Sequence, residues 1–355
     1  MRILVLNLEM SIELPLFLIL ISMKTLKKIG IGVGILIVLL LFLAAFLPKE
    51  FTASVEREMD YPRQVLYNIA QDVTTQPAWN PWSASDTSMH ITPGNITKGK
   101  GAYFTWTSET VAEGKQTITA LSPEAEVDYE LDFGGGKKGT AKMMFLEGQE
   151  KNKARWDFSG RLGWPMNLMT PIYKYMVKKA NRSGLEMMEK LAQQRWNDSN
   201  YGGFTIGTQS MSEKNYIGVR SMVDLEGVQT FYLGILPRIF QQASEAGLVI
   251  TGQPCGLYYN VNDQSDKIDL AGAIPVSEDV ALSGVETFNI PAGTAIVVNH
   301  YGSYETLSAA HAAAENYLSD HKMQPSFPRI EEYVSDPTQV SIDSVLTKLY
   351  VYIQE

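Results

Sequence analysis

Two adjacent carboxylates, Glu331 and Glu332, run directly into Tyr333. Tyr304, Tyr259 and Phe327, in the same C-terminal segment, are with Tyr333 the candidate walls of a pocket around them. A carboxylate among aromatic rings supplies a counter-charge, while ring faces add cation–π attraction, so the set suits an aromatic or hydrophobic cation. Consecutive strand residues face opposite ways, so one of Glu331 and Glu332 is expected to turn to solvent. The same residue types also permit general acid–base work if a glutamate near an aromatic cavity has a raised pKa, with Glu331 and Tyr304 the first candidates. His300, beside Tyr301, reads as a structural histidine at a strand end.

Other chemistries find little support. One cysteine, Cys255, excludes a disulfide framework and a Cys-only zinc site. Four histidines and the lack of HExxH, CxxC or EF-hand patterns leave no expected metal centre, and no cofactor is expected. There is no GxSxG elbow. Gly134-Gly135-Gly136-Lys137-Lys138-Gly139 lacks the spacing of a phosphate loop and reads as a hairpin tip.

These residues sit in a chain of 355 residues with net charge −9, long enough for two domains. The charge is uneven: residues 1–48 carry +2, residues 49–200 are neutral and residues 201–355 carry −11. This acidic balance argues against a nucleic-acid partner, which calls for a basic face.

Residues 29–47 are uncharged and apolar, follow Lys24, Lys27 and Lys28, and match the thickness of a bilayer as a helix. The expectation is an uncleaved single-pass anchor over residues 23–48. Its N-terminus would lie in the cytoplasm and everything after Pro48 on the outer, periplasmic or extracellular, face of the cytoplasmic membrane. A cleaved signal peptide is the competing reading, disfavoured by the length of the run and by the poor cleavage site around Ala44-Ala45. Gly30 and Gly34 form a GxxxG pair, read as tolerated glycines rather than a packing motif. Residues 1–22 are apolar but interrupted by Glu9, Glu13 and Pro15, and Met23 begins a complete anchor by itself, so Met23 is an alternative start to Met1.

Over residues 49–196, period-two alternation at Phe51–Met59, Ala102–Trp106, Ala125–Phe133 and Ala154–Phe158 predicts strands with one buried face. A short helix fits Pro62 to Val73. A long one fits Met166 to Gln194, with Met169, Ile172, Met176, Ala180, Met187 and Leu191 at helical spacing. The opening strand, Pro62-Arg63-Gln64-Val65-Leu66, and Gln76-Pro77-Ala78-Trp79-Asn80-Pro81-Trp82 make this segment resemble the START-like superfamily of polyketide cyclase/dehydrase and lipid-transport type (SRPBCC). The resemblance implies a helix-grip fold, an antiparallel sheet gripping a long C-terminal helix around an apolar cavity. Trp79, Trp82, Trp106 and Trp164 are candidate walls of that cavity, with the methionine stripe as an adaptable lining; ordinary core packing is the competing reading.

Residues 197–203 read as a linker, and residues 204–355 as a duplicated domain. Pro254 and Pro328, and likewise Tyr259 and Tyr333, are separated by 74 residues, and each half reads as strand, helix, strand, strand. His300-Tyr301-Gly302-Ser303-Tyr304-Glu305, Glu331-Glu332-Tyr333-Val334-Ser335-Asp336-Pro337 and Pro254-Cys255-Gly256-Leu257-Tyr258-Tyr259 make it resemble the GyrI-like effector-binding domain of AraC- and MerR-type multidrug regulators. That resemblance puts Glu331 in the place of the family's buried glutamate, with the register against Glu332 open by one residue. No helix-turn-helix precedes the domain. The fold class expected is α+β behind an N-terminal transmembrane helix. The function expected is a membrane-anchored binder or sensor of hydrophobic or cationic small molecules. A hydrolase or cyclase is the alternative, because some GyrI-like proteins hydrolyse cyclopropane-bearing toxins and some START-like proteins are cyclases.

Overall fold

The computed structural model describes residues 23–260, 267–278 and 282–354. The expectation about the start site falls on residues 1–22, outside the described residues. The protein is mixed α+β with two antiparallel sheets and an apolar N-terminal helix. The described residues form two compact units: residues 23–51 with Arg161–Tyr173, and the described residues of Thr52–Gly160 with Lys174–Glu355.

In the first unit, α1 (Met23–Phe46) is helical because its leucine- and isoleucine-rich run contains no proline before Pro48. Thr25–Phe46 has mean hydropathy 3.0, long and apolar enough to cross a membrane. A single 3-10 turn, Met166–Met169, lies in the same unit.

The second unit contains both sheets. The first begins with β1 (Glu50–Met59), followed by α2 (Arg63–Gln71), α3 (Gln76–Trp79), α4 (Pro81–Ser85), β2 (His90–Pro93), β3 (Tyr103–Thr107), β4 (Gly114–Ser122), β5 (Glu126–Asp132), β6 (Lys138–Leu146) and β7 (Asn152–Arg161). The strands lie in the order β1-β7-β6-β5-β4-β3-β2. The glycine run is the tip of the β5–β6 hairpin. Gly134, Gly135 and Gly136 all take positive φ, which side-chain-bearing residues rarely adopt. The buried face of the sheet packs on Val65, Leu66 and Ile69 of α2 and on Leu185, Met188 and Ala192 of α5 (Thr170–Trp196).

The methionine stripe of α5 behaves differently from its periodicity. The buried positions are Val177, Asn181, Gly184, Leu185, Met188, Ala192 and Arg195; Met187 and Leu191 of the stripe pack partly buried against the core, whereas Met169, Ile172 and Met176 are exposed. Gly184 is the close-approach point: a Cβ there would lie 3.2 Å from the Pro81 ring and closer still to the Trp156 ring.

The second sheet is built from β8 (Asn200–Tyr201), β9 (Phe204–Met211), β10 (Lys214–Asp224), α6 (Val228–Glu245), β11 (Cys255–Asn260), β12 (Lys267–Val276), β13 (Glu286–Ile290), β14 (Gly293–Tyr301), α7 (Leu307–Asp320), β15 (Arg329–Tyr333) and β16 (Leu346–Tyr352). Its order is β13-β10-β12-β11-β15-β16-β14-β9-β8. The six strands β10-β12-β11 and β15-β16-β14 are mirror-ordered about the central β11–β15 pair, as two fused strand-helix-strand-strand halves require. The segment read as a linker supplies β8, and its Tyr201 is buried edge-on against Tyr317 of α7.

The C-terminal end of α7 meets α2 and α5. Asn68 Nδ2 donates to Asp320 Oδ1 at 2.8 Å, and Arg195 Nη1 lies 3.8 Å from Asp320 Oδ2. His321 stacks between Trp196 and Tyr317, with ring centroids 4.7 and 4.1 Å away. An open groove of about 320 Å³ beside this junction is lined by Arg63, Glu124, Glu147, Asp320, His321 and Lys322 among others.

Candidate functional site

Glu331 lies on the central strand pair, directly opposite Gly256 of β11. Strand alternation puts Arg329, Glu331 and Tyr333 on the face covered by the helices and Ile330 and Glu332 on the other. Glu331 is 5% exposed, and both carboxylate oxygens have side-chain partners. Oε2 accepts from the Tyr258 hydroxyl at 2.8 Å and the Tyr333 hydroxyl at 3.0 Å. His311 Nε2, from α7, lies 2.6 Å from Oε1. An ionised carboxylate only accepts, so with Glu331 charged that nitrogen carries the proton.

An aromatic shell encloses the acid. Tyr232 of α6 packs edge-on to Tyr333 at 5.7 Å and to Tyr258 at 6.5 Å, and Tyr304 packs edge-on to Tyr333 at 5.6 Å. Burial first, and the Glu331 charge second, push Tyr258 and Tyr333 well above the ordinary tyrosine range, so both remain donors through the physiological range. Tyr232 is raised by the same two causes, and Tyr304 chiefly by burial. His300 is buried nearby, stacked on Phe204 with Nε2 2.7 Å from Thr306 Oγ1. Burial lowers its pKa, against the opposing charge of Glu331.

Of the residues singled out in the sequence, Glu331, Tyr333 and Tyr304 converge here. Glu332 is half-buried on the opposite face, where its Oε2 accepts from the Tyr350 hydroxyl at 2.9 Å. Tyr259 also lies on that face, and its ring already carries an internal cation. The Arg220 guanidinium sits 3.7 Å above it and pairs with Asp269 through two hydrogen bonds of 2.8 and 2.7 Å. Phe327 is 48% exposed, with the Arg329 guanidinium 5.5 Å from its ring. Trp79 and Trp106 are buried in the core of the first sheet, Trp79 edge-on to Trp156 at 5.4 Å and Trp106 edge-on to Phe133 at 5.8 Å. Trp82 is 40% exposed on α4. Trp164, in the first unit, donates its Nε1 hydrogen to the Leu41 carbonyl at 3.0 Å.

Tyr258, Tyr232 and His311 escaped the sequence reading. The proline-anchored offset of 74 matches Tyr259 with Tyr333, but the strand register pairs Gly256 with Glu331 on one face, which puts Tyr258, two residues on, on that same face and Tyr259 on the other. Tyr258 is therefore the structural counterpart of Tyr333, and a one-residue slip moves a strand side chain to the opposite face. Gly256 is required at this centre. A Cβ there falls well inside contact distance of the Tyr232 hydroxyl and 3.0 Å from the Tyr232 Cζ and Tyr258 Cε2 atoms. Gly256→Ala is expected to cost roughly 1–3 kcal/mol through forced displacement of Tyr232, read as a lowered melting temperature; an unchanged one would show that the shell is loosely packed.

Residues 209–354 match the GyrI-like small molecule binding domain family. The chain matches none of the curated proteins. Solved structures similar to this chain include an EcmrR–DNA complex determined by cryo-EM (18% identity, TM-score 0.41, covering 53% of this chain and 70% of that one). The EcmrR C-terminal domain is another (19% identity, TM-score 0.39, 43% and 98% covered). A third is SAV2435 bound to tetraphenylphosphonium (13% identity, TM-score 0.33, 42% and 93% covered).

Proposed function

We propose that the protein is a membrane-anchored small-molecule binder or sensor whose principal site is the Glu331 carboxylate with Tyr258, Tyr333, Tyr232 and Tyr304. Its ligand class is hydrophobic aromatic cations. One observation carries this reading: a buried carboxylate held only by neutral tyrosines and a histidine, inside a segment of a small-molecule binding family. A delocalised cation loses less on leaving water than a compact ammonium, and it gains both the carboxylate and the tyrosine faces. Residues 49–196 are read as a START-like, helix-grip domain, supported by α2 and α5 packing on one face of the first sheet. Residues 204–355 are read as the GyrI-like domain. The α1 helix is read as a single-pass anchor that places both on the outer face of the cytoplasmic membrane, away from nucleic acid. The test is thermal melting of the full chain in detergent against a panel of lipophilic aromatic cations and their neutral isosteres. A cation-selective rise is expected; folded protein with no response across a broad panel would sink the reading.

A second reading, a hydrolase or cyclase, draws on the same geometry. His311 at 2.6 Å and two tyrosine hydroxyls at 2.8–3.0 Å from one carboxylate form a proton-transfer set. Turnover that survives in Glu331→Gln would remove it.

A further inference from the structure

The first unit has a feature that small-molecule binding does not use. Among the described residues of α1, almost all side chains are exposed. The exceptions cluster at its C-terminal end, where Ala44 is fully buried and Leu41 is half-buried, as is Leu47 just beyond. That end is held by the segment that leads into α5. Trp164 Nε1 donates to the Leu41 carbonyl at 3.0 Å, and Asn167 Nδ2 donates to the carbonyls of Ala44 at 2.6 Å and Leu47 at 3.0 Å. The Leu162 amide donates to the Lys49 carbonyl at 2.7 Å. Asn167 has no exposed surface. The carbonyls of the last helical turn have no partner inside the helix, and within a bilayer no water substitutes for one. Asn167 supplies that partner.

The outward side of the same segment is apolar. Trp164, Met166, Met169, Ile172 and Tyr173 are all exposed, Trp164 at 53% and Ile172 at 52%. Met169 and Ile172 belong to the stripe whose periodicity promised burial, and the five together form an apolar surface whose chemistry calls for a covering partner. Their position identifies it. Leu41 lies six residues before Leu47, about 9 Å down the axis at roughly 1.5 Å per residue. A group bonded to Leu41 therefore sits at the depth where interfacial aromatic residues and amphipathic helices lie in a leaflet, roughly 5–10 Å into the boundary. Lys174, Lys178 and Lys179 follow in the sequence and suit anionic headgroups.

We infer that Gly163–Tyr173 is a membrane-seated collar: it caps the end of α1 and lies in the outer leaflet, with Trp164, Met166, Met169, Ile172 and Tyr173 in contact with lipid. This rests on reading α1 as the membrane span.

The test uses the full chain, with Cys255→Ala, in vesicles of phosphatidylcholine and phosphatidylglycerol. Nitroxides are attached singly through Met169→Cys, Ile172→Cys, Leu36→Cys in α1 and Gln339→Cys on an exposed loop, and their access to oxygen and to a water-soluble nickel complex is compared. Labels at 169 and 172 are expected to show the high oxygen and low nickel access of the leaflet boundary, several-fold in ratio from the label at 339. If 169 and 172 read as water while 36 reads as lipid, the collar is refuted and the anchor stands. If 36 also reads as water, the anchor reading fails and the collar with it. Spin–spin broadening at 169 or 172 without oxygen access would replace lipid by a second copy of the chain and overturn the proposal.

Discussion

Replacing Glu331 by glutamine is expected to weaken the binding of an aromatic cation by about 30- to 4000-fold, while a neutral isostere of the same shape binds both proteins alike. Losing one partner of a buried, hydrogen-bonded charge pair costs about 2–5 kcal/mol, and each 1.4 kcal/mol is a factor of ten. Glutamine suits the test because it retains the shape and one acceptor. Its oxygen can receive the Tyr258 and Tyr333 hydroxyls, which lie 2.8 and 3.0 Å from Oε2. Its amide then faces His311, whose Nε2 accepts in the other tautomer. Alanine is a worse probe, since it strands Tyr258, Tyr333 and His311 as buried donors at about 1–3 kcal/mol each and confuses lost binding with lost fold. Calorimetric titration of the folded glutamine variant makes the comparison. Equal cation affinity in the two proteins would mean that the carboxylate is structural and that the ligand, if any, binds elsewhere.

The site was half legible because strand chemistry is local and helix chemistry is not. Glu331-Glu332-Tyr333 announces a carboxylate and a tyrosine two residues apart, which alternation places on one face. That Tyr258 rather than Tyr259 joins them depends on the pairing of Gly256 with Glu331, and Pro254 and Pro328 are imprecise markers of that register. His311 and Tyr232 come from α7 and α6, whose rotation over the sheet no short motif encodes. The tryptophans show a related limit: size and apolarity predict that a ring seeks cover, yet Trp79 found it in the core while Trp164 stayed exposed. The stripe of Met169, Ile172 and Met176 makes the point most clearly. Helical periodicity reports that a helix has an apolar side, but it does not report which medium covers that side.

Titrating Asp320 is expected to make the protein lose stability as pH rises from about 4 to about 6. Burial lifts this carboxyl from its ordinary range to about 6, against the opposing charge of Arg195. Below the unfolded value both states hold the proton. Between the two values the folded state keeps it while the unfolded chain releases it, so each step upward favours unfolding; above the folded value the loss is complete. A rise of about two pH units corresponds to roughly 3 kcal/mol. Asp320→Asn should flatten that part of the stability profile, because an amide does not titrate there, while its oxygen can still accept from Asn68, 2.8 Å from the native Oδ1. Asp320→Ala should be more damaging than Asp320→Asn at neutral pH. Both leave the buried Arg195 guanidinium, 3.8 Å from Oδ2, without its carboxylate, but alanine also strands Asn68 Nδ2, which donates to Oδ1 at 2.8 Å, a further cost of about 1–3 kcal/mol. Melting curves of the wild type and both variants from pH 4 to 8 separate these effects. If the wild type and Asp320→Asn run parallel across that range, Asp320 is ionised throughout and the Arg195 charge outweighs the cost of burial. The junction matters beyond its own stability, because α7 carries His311 against Glu331 at one end and Asp320 against α2 and α5 at the other. Loosening that helix from the first sheet therefore acts on the same element that closes the carboxylate site.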